Sequence, residues 1–242
     1  MLKKIRFFGD SWFWNWYYPD MKSTAIKKVL LEQGFPAIAA YLKYLDIEPI
    51  CHNLPGRNFE QTVIDVLSTE NHDDIKYNVI FIASIFRRNH HRLDVTNYTN
   101  FIKAWDAILI SRLTELQNWA QKNNQQILLL GGQTTLHKNL FEQVENRKNL
   151  HLVAECIISK LTNRFNTHGF LKLATDVTDY VDTTWHPELV EHMHNDITAF
   201  ENDNDKFLFT LPDRGHLNPH GSLLVLDMIL SEIEQIEKSQ IG

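Results

Sequence analysis

Two short strings near opposite ends of the chain carry residue types that can do acyl-transfer chemistry together. Gly9-Asp10-Ser11 follows directly on the apolar run Leu2 to Phe8. A serine placed just after a buried strand is held on a rigid element, as a hydroxyl nucleophile requires. The second string is Asp213-Arg-Gly-His216-Leu-Asn218-Pro219-His220-Gly221. An aspartate three residues before a histidine, in a loop leading into a helix, can orient the imidazole and stabilise its cation. The histidine is then free to take a proton from a nearby hydroxyl. Each string also has a plain structural reading, since Gly-Asp-Ser is an ordinary turn sequence and Asn218 with Pro219 makes a helix start. His220 competes with His216 for the role of base; the Asp-x-x-His spacing favours His216, because His220 falls inside the first helical turn.

The elements that would position these residues alternate short apolar runs with longer amphipathic segments. Strands are predicted at Leu2–Phe8, Ile47–Cys51, Val79–Ala83, Gln126–Leu130, more weakly at Leu150–Val153, and at Phe207–Leu211. Helical material is expected within Ala25–Leu45 and around Phe59–Leu67. In Phe101–Gln121 a stripe of Phe101, Trp105, Ile108, Leu109, Leu113, Leu116 and Ala120 has helical spacing. A terminal helix is predicted over Pro219–Ile236, with Asn218 as its cap. Strand–helix alternation over this length argues a parallel sheet covered on both faces, in one domain spanning residues 1–242. Ligands of such sheets bind beyond the carboxyl ends of the strands. Chemistry is therefore expected in the loops that follow the strands, at Gly9-Asp10-Ser11, Pro55-Gly56-Arg57, Ser84–Asn89 and Gly131-Gly132-Gln133, and after Leu211.

Composition closes off several other classes. The chain of 242 residues is 43% hydrophobic and 22% charged, which is enough apolar material for a full core without staples. Its net charge of −6, with no segment concentrating Lys and Arg, argues against a nucleic-acid partner. Cys51 and Cys156 form neither a disulfide framework nor a zinc spacing. The apolar start is interrupted at Gly9-Asp10-Ser11, so no signal peptide is read there. The run Val79–Phe86 is far short of a membrane span, so a cytoplasmic protein without a membrane partner is expected.

The remaining clusters are weaker. Asp182, His186, Glu188, His192 and His194 lack the His-Glu-x-x-His order, and His192 and His194 fall on different helix faces, so no metal is expected. Asp203-Asn-Asp205 lacks the glycine and distal glutamate of a calcium loop. Gly131-Gly132-Gln133 matches the peptidyl-release tripeptide in letters, but its place after an apolar run in an acidic chain assigns it to ending that strand. Trp12, Phe13, Trp14, Trp16, Tyr17 and Tyr18 can wall an acyl chain or stack on a sugar ring, and can equally be core. Arg87, Arg88 and Arg92 beside His90-His91 make a small basic patch that suits an anionic group on a substrate.

Taken together, Gly9-Asp10-Ser11 near the start and Asp213-x-x-His216 near the end, continued by Leu217-Asn218-Pro219 and Gly221, resemble the GDSL/SGNH hydrolase family in order and chain length. The resemblance implies a flavodoxin-like three-layer α/β/α sandwich around a mostly parallel five-stranded sheet. It implies ester hydrolysis without a cofactor, through Ser11 as nucleophile, His216 as base and Asp213 as its orienter. The family's oxyanion hole takes the nucleophile's own N–H, a glycine after the second strand, which Gly56 matches, and an asparagine after the third. The chain departs from the pattern at this third position. The family has Gly-x-Asn, whereas this sequence reads Ala83-Ser84-Ile85-Phe86-Arg87-Arg88-Asn89. Asn89 can supply the amide from farther along the loop, Arg87 or Arg88 can supply a cationic donor, or the donor is missing. Asp10, Trp12 and Arg87 are expected on the substrate side. The substrate class is a small-molecule or glycan ester, O-acetyl groups included. A weakened binding protein of the same fold and an acyltransferase using the same triad are the alternatives.

Overall fold

The computed structural model describes residues 2–9, 38, 42–43, 45–52, 58–82, 95–131, 136–157 and 219–241, with the side chains of 95–103, 219–223 and 241 outside the description. The chain divides into two compact units, one of residues 1–10 and 50–157, the other of residues 11–49 and 158–242. Most of the described residues belong to the first.

The elements run β1 (Lys4–Phe8), β2 (Glu48–Cys51), α1 (Phe59–Ser68), β3 (Tyr77–Ile82), α2 (Val95–Lys122), β4 (Gln126–Gly131), α3 (Lys138–Phe141), β5 (Leu150–Ala154) and α4 (Pro219–Ile241). The five strands form one parallel sheet in the order β2-β1-β3-β4-β5. Its register pairs Phe7 with Val79 and Phe8 with Ile80, and Val79 in turn with Leu128. All six residues of β3 and of β4 are buried, which explains their unbroken apolar or amide character. On one face Phe8, Ile80, Ile82, Ile127 and Leu129 pack with Phe59, Val63 and Val66 of α1 and with Trp105, Leu109, Leu113, Leu116 and Ala120 of α2. The alternate residues Ile5, Phe7, Val79, Phe81, Leu128 and Leu130 are buried on the opposite face. Both faces are therefore covered, as the alternation in the sequence predicts.

Local chemistry sets the helix limits. Asn58 caps α1, its Oδ1 accepting from Gln61 N–H at 2.9 Å, with Glu60 in the first turn where the helix dipole favours an anion. At the end of α2, Asn124 turns into the left-handed region (φ 53°). Gln125 N–H then bonds Ala120 O at 2.8 Å and Asn124 N–H bonds Gln121 O at 3.3 Å, the two bonds of a Schellman stop. Asp46 (φ 59°) does the same before β2, with Ile47 N–H on Leu42 O at 2.8 Å. Arg112 of α2 makes two 2.9 Å bonds to Glu115 and a 3.5 Å bond to Glu60, tying α2 to α1.

The amino-terminal edge of the sheet carries an amide network. Buried Asn78 donates to Gln125 Oε1 (2.9 Å), Gln125 donates to Asn71 Oδ1 (2.9 Å), and Asn149 donates to Gln125 O (2.8 Å). None of these groups titrates, so this clamp between β3, β4 and β5 is indifferent to pH.

Four details differ from the sequence reading. The helix of the apolar stripe begins earlier than the stripe itself, since α2 starts at Val95, and Ile108 is 38% exposed. The four-residue α3 is too short to leave a periodic signal. The terminal helix continues to Ile241. The expected strand at 207–211, the cap Asn218 and most of the helical stretch 25–45 lie outside the described residues.

Candidate functional site

In a sheet of order β2-β1-β3-β4-β5 the chain leaves β1 toward one edge and returns through β3 toward the other. The strand order therefore reverses between β1 and β3, and the region beyond the carboxyl ends of the strands at such a switch point is where ligands of open parallel sheets bind. Gly9, the residue after β1, stands at this switch point.

Its geometry explains why no other residue stands there. Gly9 has φ +146°, a conformation that L side chains rarely adopt. A Cβ built on it would lie 2.9 Å from Phe81 Cβ and 3.3 Å from Phe81 O. The chain leaving β1 is thus pressed directly onto the backbone of β3, and only a residue without a side chain allows that approach. Asp10 and Ser11 follow at once in sequence.

On its other side the end of β1 meets the end of β2. His52, the residue after β2, donates its backbone N–H to Phe7 O at 2.8 Å. The imidazole of His52 stacks on Phe8, with ring centroids 5.0 Å apart and planes 13° from parallel. Phe8 is fully buried while His52 is exposed, so the imidazole lies as a cover over the last side chain of β1. Desolvation holds the His52 pKa below its usual value, the nearby Arg6 guanidinium lowers it further, and Asp65 partly opposes both.

Arg6 shares the face of Phe8 on β1 and is 1% exposed. Its Nη2 donates to Glu70 O at 3.3 Å, while Nε and Nη1 find no acceptor among the described residues. Burial lowers its pKa, against a raising influence from Asp74. At the far end of the sheet, Glu155 after β5 reaches back to the segment that follows β4. Its carboxylate accepts from Lys138 N–H at 2.9 Å and its carbonyl accepts from Leu136 N–H at 2.8 Å.

The residues singled out from sequence, Asp10, Ser11, Trp12, Gly56, Arg87, Asn89, Asp213 and His216, lie outside the described residues, as do Arg88 and the histidine-rich stretch 186–194. What the structure supplies is the framework adjoining them. Gly9 follows β1 immediately before Asp10-Ser11, His52 follows β2 four residues before Gly56, and Ile82 ends β3 five residues before Arg87. Pro219 opens α4 three residues after His216, and His220 belongs to its first turn. His52 and Arg6 were missed in the sequence. A charged residue inside the apolar run Lys4–Phe8 was the available signal for Arg6; the stacking of His52 depends on the β1–β2 register, which sequence does not display. Among the described residues no group of three or more His, Cys, Asp or Glu side chains suits a metal ion, and no helix is long and apolar enough to cross a membrane.

No family model matches the chain, and no curated protein does. Solved structures similar to it include the acetyl xylan esterase AlAXEase, 17% identical, covering 95% of this chain and 99% of that one with a TM-score of 0.40. A lipase/acylhydrolase from Enterococcus faecalis is 11% identical over 97% of this chain and 96% of its own, TM-score 0.40. AlinE4, an SGNH-hydrolase family esterase, is 14% identical over 70% and 84%, TM-score 0.39.

Proposed function

We propose that the chain is a serine ester hydrolase acting on a small or carbohydrate-linked ester. The observation that carries this reading is the joint of sequence and topology at Gly9. The switch-point strand of a parallel sheet ends on a glycine that only glycine can be, and Gly-Asp-Ser is completed within the next two residues. The Asp213-x-x-His216 string, set directly before α4, supplies the partner groups.

In this reading Ser11 Oγ attacks the ester carbonyl carbon while His216 accepts the hydroxyl proton. Asp213 holds the imidazole in its tautomer and stabilises the cation as it forms. The carbonyl π bond opens and leaves an oxyanion, to which the N–H groups of Ser11 and Gly56 and the amide of Asn89 donate. Collapse expels the alcohol, which takes the proton from His216, and leaves an acyl-serine. Water then adds with His216 again as base, and the carboxylic acid leaves as Ser11 regains its proton. The aromatic residues from Trp12 onward suit a sugar ring, and Arg87 suits an anionic substituent near the ester. The missing Gly-x-Asn after β3 favours one second reading, a binding protein of the same fold with weak or no turnover.

The test is hydrolysis of p-nitrophenyl acetate by the wild type and by Ser11→Ala, with secondary structure checked by circular dichroism. The expected result is turnover that falls by at least about 10³-fold in the variant. Equal turnover in both proteins would overturn the assignment of Ser11, and a wild type inert toward every short ester would favour the binding protein.

A further inference from the structure

We propose that His52 is a positioning residue for the nucleophile, fixing the carboxyl end of β1 from the β2 side so that the chain leaves Gly9 toward Ser11 in one direction. This inference rests on the reading of Ser11 as nucleophile. Three restraints converge on the last two residues of β1 and on Gly9. Gly9 is pressed against Phe81 of β3, His52 N–H is bonded to Phe7 O, and the His52 ring lies over Phe8. The first acts from the β3 side and the other two from the β2 side. With only the β3 contact, the end of β1 would be held on one edge and free to pivot about it. The pair of contacts from His52 closes the other edge.

The ring does what a backbone bond alone does not. Phe8 is the last side chain of β1 and sits at the rim of the sheet, yet it is fully buried. The exposed imidazole is stacked on it nearly parallel, so its removal opens one face of Phe8 to water and takes away the contact that sets the ring. Phe8 also packs in the cluster with Phe59 and Ile80, so a shift of its ring is felt in the core beneath β1. Among the described residues, the charged groups whose electrostatic influence reaches His52 are Arg6 on β1 and Asp65 on α1. A proton on His52 adds a second cation beside the buried Arg6, and the neutral ring is therefore the form that holds the strand.

The experiment compares His52→Ala, which removes the ring, with His52→Phe, which keeps a stacking ring and cannot titrate. Displacing a nucleophile by about an ångström costs up to about 10²-fold in rate. His52→Ala should therefore lower kcat toward p-nitrophenyl acetate by about ten- to a hundredfold with KM little changed. His52→Phe should restore kcat. Amide hydrogen exchange provides a readout independent of chemistry: the amides of residues 4–9 should exchange faster in His52→Ala and return to wild-type protection in His52→Phe. The two claims fail separately. If the wild type turns over ester through Ser11 and His52→Ala has unchanged kcat and unchanged exchange, the proposal is overturned and the esterase reading stands. Faster exchange in both variants alike would also overturn it, since the ring would then not be the anchor. If the wild type shows no Ser11-dependent turnover, the functional reading falls and takes the nucleophile with it, whatever the exchange shows.

Discussion

Gly9→Ala isolates the contact that sets the switch point, and its cost can be worked from the structure. The residue has φ +146°, where an alanine is strained; holding a non-glycine residue in such a region costs about 1–3 kcal/mol. The new methyl would also stand 2.9 Å from Phe81 Cβ and 3.3 Å from Phe81 O. Both atoms belong to the rigid part of β3, so no rotamer change of the Phe81 ring relieves the clash. Overpacking of this kind adds about 1–3 kcal/mol. Against this, alanine reduces the freedom of the unfolded chain and returns about 0.4–1 kcal/mol. The net loss is about 1–5 kcal/mol, and at about 2–4 °C per kcal/mol for a chain of this size the midpoint should fall by roughly 10 °C. Urea unfolding at pH 8 reads the loss as a lower midpoint with an unchanged slope. The folded variant should also lose ester turnover, because relief of the clash moves the backbone that leads into Ser11. A loss below about 0.5 kcal/mol with normal turnover would refute the reasoning, since it would mean that β1 and β3 are not in contact at Gly9.

Asn78→Ala removes the donor to Gln125 Oε1 at the opposite edge of the sheet. It should cost about 1–3 kcal/mol in urea unfolding while leaving kcat of the folded protein near normal, which separates the clamp from the site. Stability should fall on acidification. Desolvation lowers the pKa of His151, and partial desolvation together with Arg6 lowers that of the exposed His52, so above the unfolded value of about 6.5 both are neutral in both states. Below it the unfolded chain binds protons that the folded one refuses, and stability drops from about pH 6.5 down to the depressed folded values. Urea midpoints at pH 8 and pH 5 check this, and the difference should shrink in His151→Gln. For the loop after β3, single alanine variants of Asn89, Arg87 and Arg88 assign the third oxyanion donor. The variant that loses about 10²–10³-fold in kcat at constant KM identifies it, with Asn89 expected. No loss in any of the three would leave only backbone donors.

The central strands were legible because burial on both faces leaves a continuous apolar run, as in Val79–Ile82 and Ile127–Leu130. β2 was legible as a strand, and the structure adds that it stands at the end of the order of the described strands, a position where Pro49 is tolerated. The α2 stripe was right in Trp105, Leu109, Leu113, Leu116 and Ala120 and wrong in Ile108. At about 100° per residue, Ile108 falls about 100° from the centre of that stripe, on the margin of the buried face. The early start of α2 was missed because Thr96, Asn97, Thr99 and Asn100 are weak helix formers and carry no apolar period. At the site, Gly9 was legible as the end of a strand, but its reason, the contact with Phe81, exists only once β1 and β3 are in register. The same holds for His52, a lone polar residue in sequence whose partner Phe8 lies forty-four positions away. Short-range strings such as Asp213-x-x-His216 are visible in sequence; what brings strings together is pairing, and pairing is not local.

The most direct test of the central claim is covalent. Incubation of the full chain with a fluorophosphonate, followed by intact-mass and peptide mass spectrometry, reports which hydroxyl is an activated nucleophile. The prediction is one adduct per chain, mapped to Ser11, forming with the same time course as the loss of p-nitrophenyl acetate turnover and absent in Ser11→Ala. An adduct on another residue, or a chain that hydrolyses esters while Ser11 stays unlabelled, would contradict it.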